Sequence, residues 1–148
     1  MVSESRRMAL EQNYQSVLDL CDVLEAIADA LPHADMRLCM NTAELVEPMI
    51  EAIQVLEEDI LFPILADSQR REIGQTMERL RQEHLSDSST AQEVSDALRS
   101  FSMGSPTLSY DAMGYLLRAF FDGMRRHIRG ELELLRMLLP EPENRTIQ

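Results

Sequence analysis

Four stretches of the chain set apolar residues three and four positions apart, the spacing that gathers them on one face of an α-helix. The first covers about residues 5–31, with Leu10, Val17, Cys21, Leu24, Ala28 and Leu31 as its stripe. Pro32, His33, Ala34 and Asp35 then read as a turn, with Asp35 placed to cap the next helix. The second stretch covers about residues 36–66 and contains Pro48 and Pro63. A proline inside a helix removes a backbone donor and crowds the preceding turn. A bend is therefore expected at Pro48, and a bend or an end near Leu61, Phe62 and Pro63.

The third stretch begins after Asp67 and Ser68, a capping pair, and carries Ile73, Met77 and Leu80 on its stripe. The polar run Ser86, Asp87, Ser88, Ser89, Thr90 interrupts it, and Thr90 with Glu93 has the form of a capping box. Two readings stand: a helix that restarts at Thr90 and continues to about Phe101, or one continuous helix with a polar outer turn. Met103, Gly104, Ser105, Pro106 and Thr107 form a loop, and a fourth helix follows over about residues 109–139. The tail, residues 140–148, holds two prolines and is expected to fray. Four amphipathic segments with short connections predict an all-α, up-down-up-down four-helix bundle. We expect a single domain over residues 1–148, with its core at about 5–139.

Composition supports helices. Hydrophobic residues make up 45% of the 148 positions but aromatic residues only 5%, with 10 Met and no Trp, which suits packed helices better than a sandwich of strands. The formal net charge is -12, and all 14 basic residues are Arg. Such acidity argues against nucleic acid and against an anionic membrane as partners. No apolar run approaches the roughly 18 residues of a membrane span. The polar residues 1–7 lack the apolar core of a signal peptide. Cys21 and Cys39 fall in helical patterns and read as reduced, buried thiols of a cytoplasmic protein, a redox pair being the alternative. Neither a Gly-rich phosphate loop nor a Gly-x-Ser-x-Gly elbow occurs, and an enzymatic role is not the favoured reading.

The candidate chemistry lies in polar residues that fall on apolar stripes. On the fourth helix Met113, Leu117, Phe120, Met124, Ile128 and Leu135 mark the inner face, and His127 and Glu131 sit within it, one turn apart. On the third, Ile73, Met77 and Leu80 project the next inward position onto His84. On the second, Ile50, Leu61 and Leu65 bracket Gln54 and Glu58. An inward charge needs a partner, because burying it unpaired costs several kcal/mol. A metal ion is one such partner: two imidazoles and two carboxylates converging from three helices suit iron, manganese or zinc. An ion pair His127–Glu131, a hydrogen-bonded core histidine at 84 and a solvated run at Glu57, Glu58, Asp59 are the plain structural alternatives.

Several segments resemble the hemerythrin-like (HHE cation-binding) family. Leu56-Glu57-Glu58-Asp59-Ile60-Leu61-Phe62-Pro63 is similar to its second-helix "H-H-x-x-E-E-x-x-L-F-P" motif. His127-Ile128-Arg129-Gly130-Glu131 is similar to its "H-x-x-x-E" helix, Glu83-His84 to its third-helix "E-H", and Ala28-Asp29-Ala30-Leu31-Pro32 to the end of its first helix. The resemblance implies a bundle whose core holds two irons bridged by carboxylates. It assigns Glu58 and Glu131 to the bridges, and His84 and His127 to the imidazoles of one iron. The other iron's histidines have no counterpart: Gln54 and Ile53 stand on the second helix, and Gln12, Asn13 and Tyr14 on the first.

The resemblance therefore implies a metal site on Glu58, His84, His127 and Glu131 that takes one iron, or another divalent metal, rather than two. Oxygen transport needs two irons to share the electrons transferred, so sensing, storage or a stress response is expected instead, with a small ligand such as oxygen or nitric oxide. The alternative is a metal-free bundle that acts as an interaction or regulatory module, as a homodimer or with another protein. A ferritin-like oxidase fits less well, since it expects Glu-x-x-His where this chain has His-x-x-x-Glu.

Overall fold

The computed structural model of the chain describes residues 4–67 and 71–138, the side chains of 71–73 excepted. All regular elements among the described residues are helical: α1 Glu4–Ala30, α2 Met36–Leu56, a π-helical turn Glu57–Leu61, α3 Phe62–Asp67, α4 Arg71–Ser102 and α5 Tyr110–Leu138. The second of these, the π turn and α3 follow one another without a break, so four rods make the bundle that the apolar periodicity predicts. Ile73, the cap at Ser68, Leu139 and the tail over 140–148 lie outside what is described.

The boundaries follow local chemistry. The Asp35 carboxylate accepts the amide N–H of Leu38 at 2.8 Å, the N-cap read from the sequence. Ser109 caps α5 in the same way, its hydroxyl accepting the N–H of Ala112 at 3.1 Å. Just past α4, Gly104 adopts φ +76, a left-handed turn residue that ends the helix and that a side chain would strain. The polar run at Ser86 to Thr90 does not divide α4. The Thr90 hydroxyl donates back to the carbonyl of Ser86 at 3.0 Å instead of capping a new helix, and the continuous reading holds.

Pro48 does not break α2. It lies on the exposed face, where water can satisfy the carbonyl that loses its partner. Pro63 is different. Just before it the backbone widens, and the N–H of Phe62 reaches the carbonyl of Glu57 five residues back. A proline ring crowds the carbonyl four positions before it, here that of Asp59, and a wider turn relieves the crowding. The disturbance expected near Leu61 to Pro63 is this π turn.

Helix α1 packs chiefly on α5, and α2 chiefly on α4. The core is aliphatic: Leu10, Val17, Leu24 and Ile27 of α1 meet Met113, Leu117, Phe121, Met124 and Ile128 of α5, with Val46, Ile50, Leu80, Val94 and Leu98 on the other pair. Each such side chain contributes about 1.5–3 kcal/mol on leaving water. Polar ties set the register: Ser95 donates to the Ala43 carbonyl at 2.8 Å, and Arg125 of α5 clasps Asp22 and Glu25 of α1. Cys21 and Cys39 are buried and free, and burial pushes each thiol up to about 11, which disfavours the thiolate.

Candidate metal centre

A cluster of polar side chains interrupts this core near the π turn. At its centre is Glu57, whose side chain is 0% exposed. Its Oε2 accepts Nε2–H of His84 at 2.8 Å, and its Oε1 lies 3.3 Å from Nε2 of His127. Glu131 reaches in from the same face of α5 as His127, with Oε1 3.9 Å from the His127 Nε2. One carboxylate thus joins two imidazoles from two helices, with a second carboxylate alongside.

The outer ring nitrogens face other carboxylates. Nδ1 of His127 lies 2.9 Å from Oε2 of Glu83, with Asp87 behind it at 4.0 Å. Nδ1 of His84 is 3.5 Å from Glu58. Both nitrogens of His127 thus face carboxylates, Glu83 at Nδ1 and Glu57 at Nε2, an arrangement that the doubly protonated ring satisfies; a metal taken at Nε2 would replace that proton and leave Nδ1–H on Glu83. Phe62 stacks on His84 at 5.5 Å between ring centroids and walls off that side.

Electrostatics follow from the packing. Burial alone would raise the Glu57 carboxyl, but hydrogen bonds from His127 and His84 hold it below its usual range. Burial would lower His127, yet Glu57's hydrogen bond and charge outweigh it and push the ring up to about 9. His84 is raised for the same reason. Glu131 is pushed up to about 8 by burial and by the charge of Glu57. Among the described residues, three buried side-chain atoms meet no hydrogen-bond partner: Oε2 of Glu131, Nδ1 of His84 and the Tyr14 hydroxyl.

The sequence-predicted residues are brought together, with one change of place. His84, His127 and Glu131 converge as the stripes projected. Glu58 does not join them; its side chain is 58% exposed at the rim, and Glu57 occupies the interior. Stepping by four from Ile50 through Gln54 to Glu58 turns a helix by about 80° away from the starting face, since each residue adds about 100°. Stepping by three and then four, through Ile53 to Glu57, ends within about 20° of it. Gln54, beside that path, is turned to α4: its amide donates to the His84 carbonyl at 2.9 Å and accepts the Ser88 hydroxyl at 3.1 Å. On α1, Gln12 is exposed and Asn13 bonds back to the Ala9 carbonyl, while Tyr14 is buried.

The donor set suits an ion. Glu57, His84 and His127 offer ligand atoms within 4.8 Å of one another, and Glu83, His127 and Glu131 form a second such group. Mixed nitrogen and carboxylate donors fit iron, manganese or zinc. The sequence profile of the hemerythrin HHE cation binding domain matches residues 10–139. The chain belongs to this family. The match spans all four rods and every residue of the cluster, so the buried carboxylates and histidines of this HHE domain stand in a cation-binding fold. Neither a curated protein nor a solved structure matches the chain.

Proposed function

We propose that this HHE domain is a cytoplasmic metal-binding protein that holds one ion, iron or another divalent metal, on Glu57, His84, His127 and Glu131. Its role is sensing, storage or stress response rather than oxygen transport. The observation that carries this reading is the shared direction of the imidazoles. Both turn Nε2 to the buried Glu57, and both turn Nδ1 to an outer carboxylate, Glu83 or Glu58. Carboxylate–histidine pairs of this kind orient and strengthen imidazole ligands. Glu58 lies 3.5 Å from Nδ1 of His84 at the rim, without the hydrogen bond that Glu83 makes to His127. A bound iron would supply Lewis acidity and a change of oxidation state, with a small ligand such as oxygen or nitric oxide as its partner. No described helix is long and apolar enough to cross a membrane.

The 2.8 Å Glu57–His84 hydrogen bond favours a second reading, a metal-free bundle whose charges satisfy one another while its surface binds a partner protein or a second copy. Elemental analysis of protein from iron-supplemented cells separates the two. The first reading expects about one equivalent of metal, lost in His84→Ala and His127→Ala. Protein that is free of metal, with stability indifferent to added iron, manganese and zinc, supports the second.

A further inference from the structure

We propose that Tyr14 is a further ligand of this site and makes it selective for a trivalent ion, ferric iron above all, bound through the phenolate oxygen. The inference rests on the metal-binding reading above. Tyr14 is 1% exposed, and its hydroxyl is one of the buried atoms without a hydrogen-bond partner. A buried hydroxyl left in that state is costly, and here two acceptors are close at hand. Burial, the charges of Glu57 and Glu131 and the approach to the Glu57 carboxylate all hold the phenol protonated until a cation offsets them, and Glu131 Oε2 is itself without a partner. The Tyr14 hydroxyl of α1 and Glu131 of α5 thus lie close to the carboxylate that holds both imidazoles.

Charge decides which ion suits the three oxygens. Phenolate and two carboxylates carry three negative charges, and the histidines are neutral when they ligate. A trivalent ion leaves the buried site neutral; a divalent ion leaves a charge uncompensated unless Tyr14 keeps its proton. On binding, the phenol O–H bond breaks as the oxygen–iron bond forms, the proton passes to bulk water, and no electron moves. Beside Tyr14 on α1, Asn13 is engaged with its own helix and Gln12 faces solvent. Tyr110 and Tyr115 are 47% and 77% exposed, outside the cluster, and do not compete for the role.

The test uses the full chain, stripped with a chelator and loaded with ferric nitrilotriacetate or with zinc. Metal content, visible absorption and resonance Raman spectra are recorded for wild type and Tyr14→Phe, which keeps the ring and its packing. Ferric wild type should show a phenolate-to-iron charge-transfer band with enhanced tyrosine ring modes. Tyr14→Phe should lose the band and bind ferric iron at least about tenfold more weakly, with zinc affinity unchanged. Ferric protein without the band, a band that survives in Tyr14→Phe, or an equal loss for both metals overturns the proposal and leaves the metal site standing. Protein that takes up neither metal overturns the metal-binding reading and this proposal with it.

Discussion

Nε2 of His84 and Oε2 of Glu57 stand 2.8 Å apart in the interior of the bundle, and the other oxygen of the same carboxylate faces His127. Helices α4 and α5 are therefore both tied to one side chain of the π turn. The tie makes Glu57 the keystone of the cluster in the metal-free protein, and it joins the π turn before Pro63 to the chemistry of the site.

Removing that carboxylate takes from both imidazoles the buried acceptor that chiefly raises them. Breaking a buried pair by deleting one partner costs about 3–5 kcal/mol. Glu57→Ala should lose stability of that order in urea unfolding with chelator present. Glu58→Ala, at an exposed position, should stay within about 0.5 kcal/mol of wild type. Equal effects at the two positions would place the inner carboxylate wrongly.

Glu83 should act on the metal through His127. Its carboxylate, 2.9 Å from Nδ1, orients the ring and would keep the hydrogen on Nδ1 when Nε2 meets a metal. Removal of such a partner lowers metal affinity about 10–100-fold. Glu83→Ala should show that loss in competition against a chromophoric chelator, while Glu133→Ala, exposed on α5, should not.

The metal-free protein should lose stability as pH rises from about 6.5 to about 9. His127 is raised from 6.5 to about 9, so its contribution is fully present below 6.5 and is lost as pH climbs through the folded value. Glu131 is raised from 4.5 to about 8 by burial and by Glu57, so the folded state also resists its ionisation up to that pH. In both cases the native state binds more protons than the unfolded chain, which makes stability fall with pH. Glu57 is held low and stays ionised throughout the window. Urea midpoints with chelator should decline across it, and added metal, which displaces these protons, should reverse the trend. Midpoints that climb with pH in the chelated protein would contradict the assigned shifts.

Much of the site was legible because stripes on rigid helices project reliably. His84 was found by extending Met77 and Leu80 by one turn, and His127 with Glu131 by their place inside the α5 stripe. The second rod was harder. Two adjacent acids, Glu57 and Glu58, both fit a family motif, and only the alternation of three- and four-residue steps through Ile53 selects the inner one. The π turn itself follows from crowding by Pro63, which signals a disturbance without fixing its form. In the sequence Asp87 is one residue of a polar run and Glu83 the neighbour of His84 in the family's third-helix motif; an outer carboxylate acquires its role toward His127 only once α5 brings that ring against it. The single continuous α4 was undecidable from Thr90 alone, since the same hydroxyl can cap a helix or bond back within one.

A route to the site is open to test at Gly130. Between α4 and α5 lies a cleft of about 410 Å³, lined by Glu83, Asp87, His127 and Glu131 and by the two glycines Gly123 and Gly130. A Cβ at Gly130 would meet nothing within 4 Å, so the position tolerates a side chain. Gly130→Ala should stabilise the protein by about 0.5–1 kcal/mol, the usual helix-interior difference. Gly130→Phe should cover the cleft and slow both chelator extraction of bound metal and modification of His127 by diethyl pyrocarbonate in the metal-free protein, each followed by mass spectrometry of the α5 peptide or by metal release. The second readout needs no metal. If both rates match wild type, ions and small reagents reach His127 by another path, such as the groove beside Phe62, Arg81 and His84.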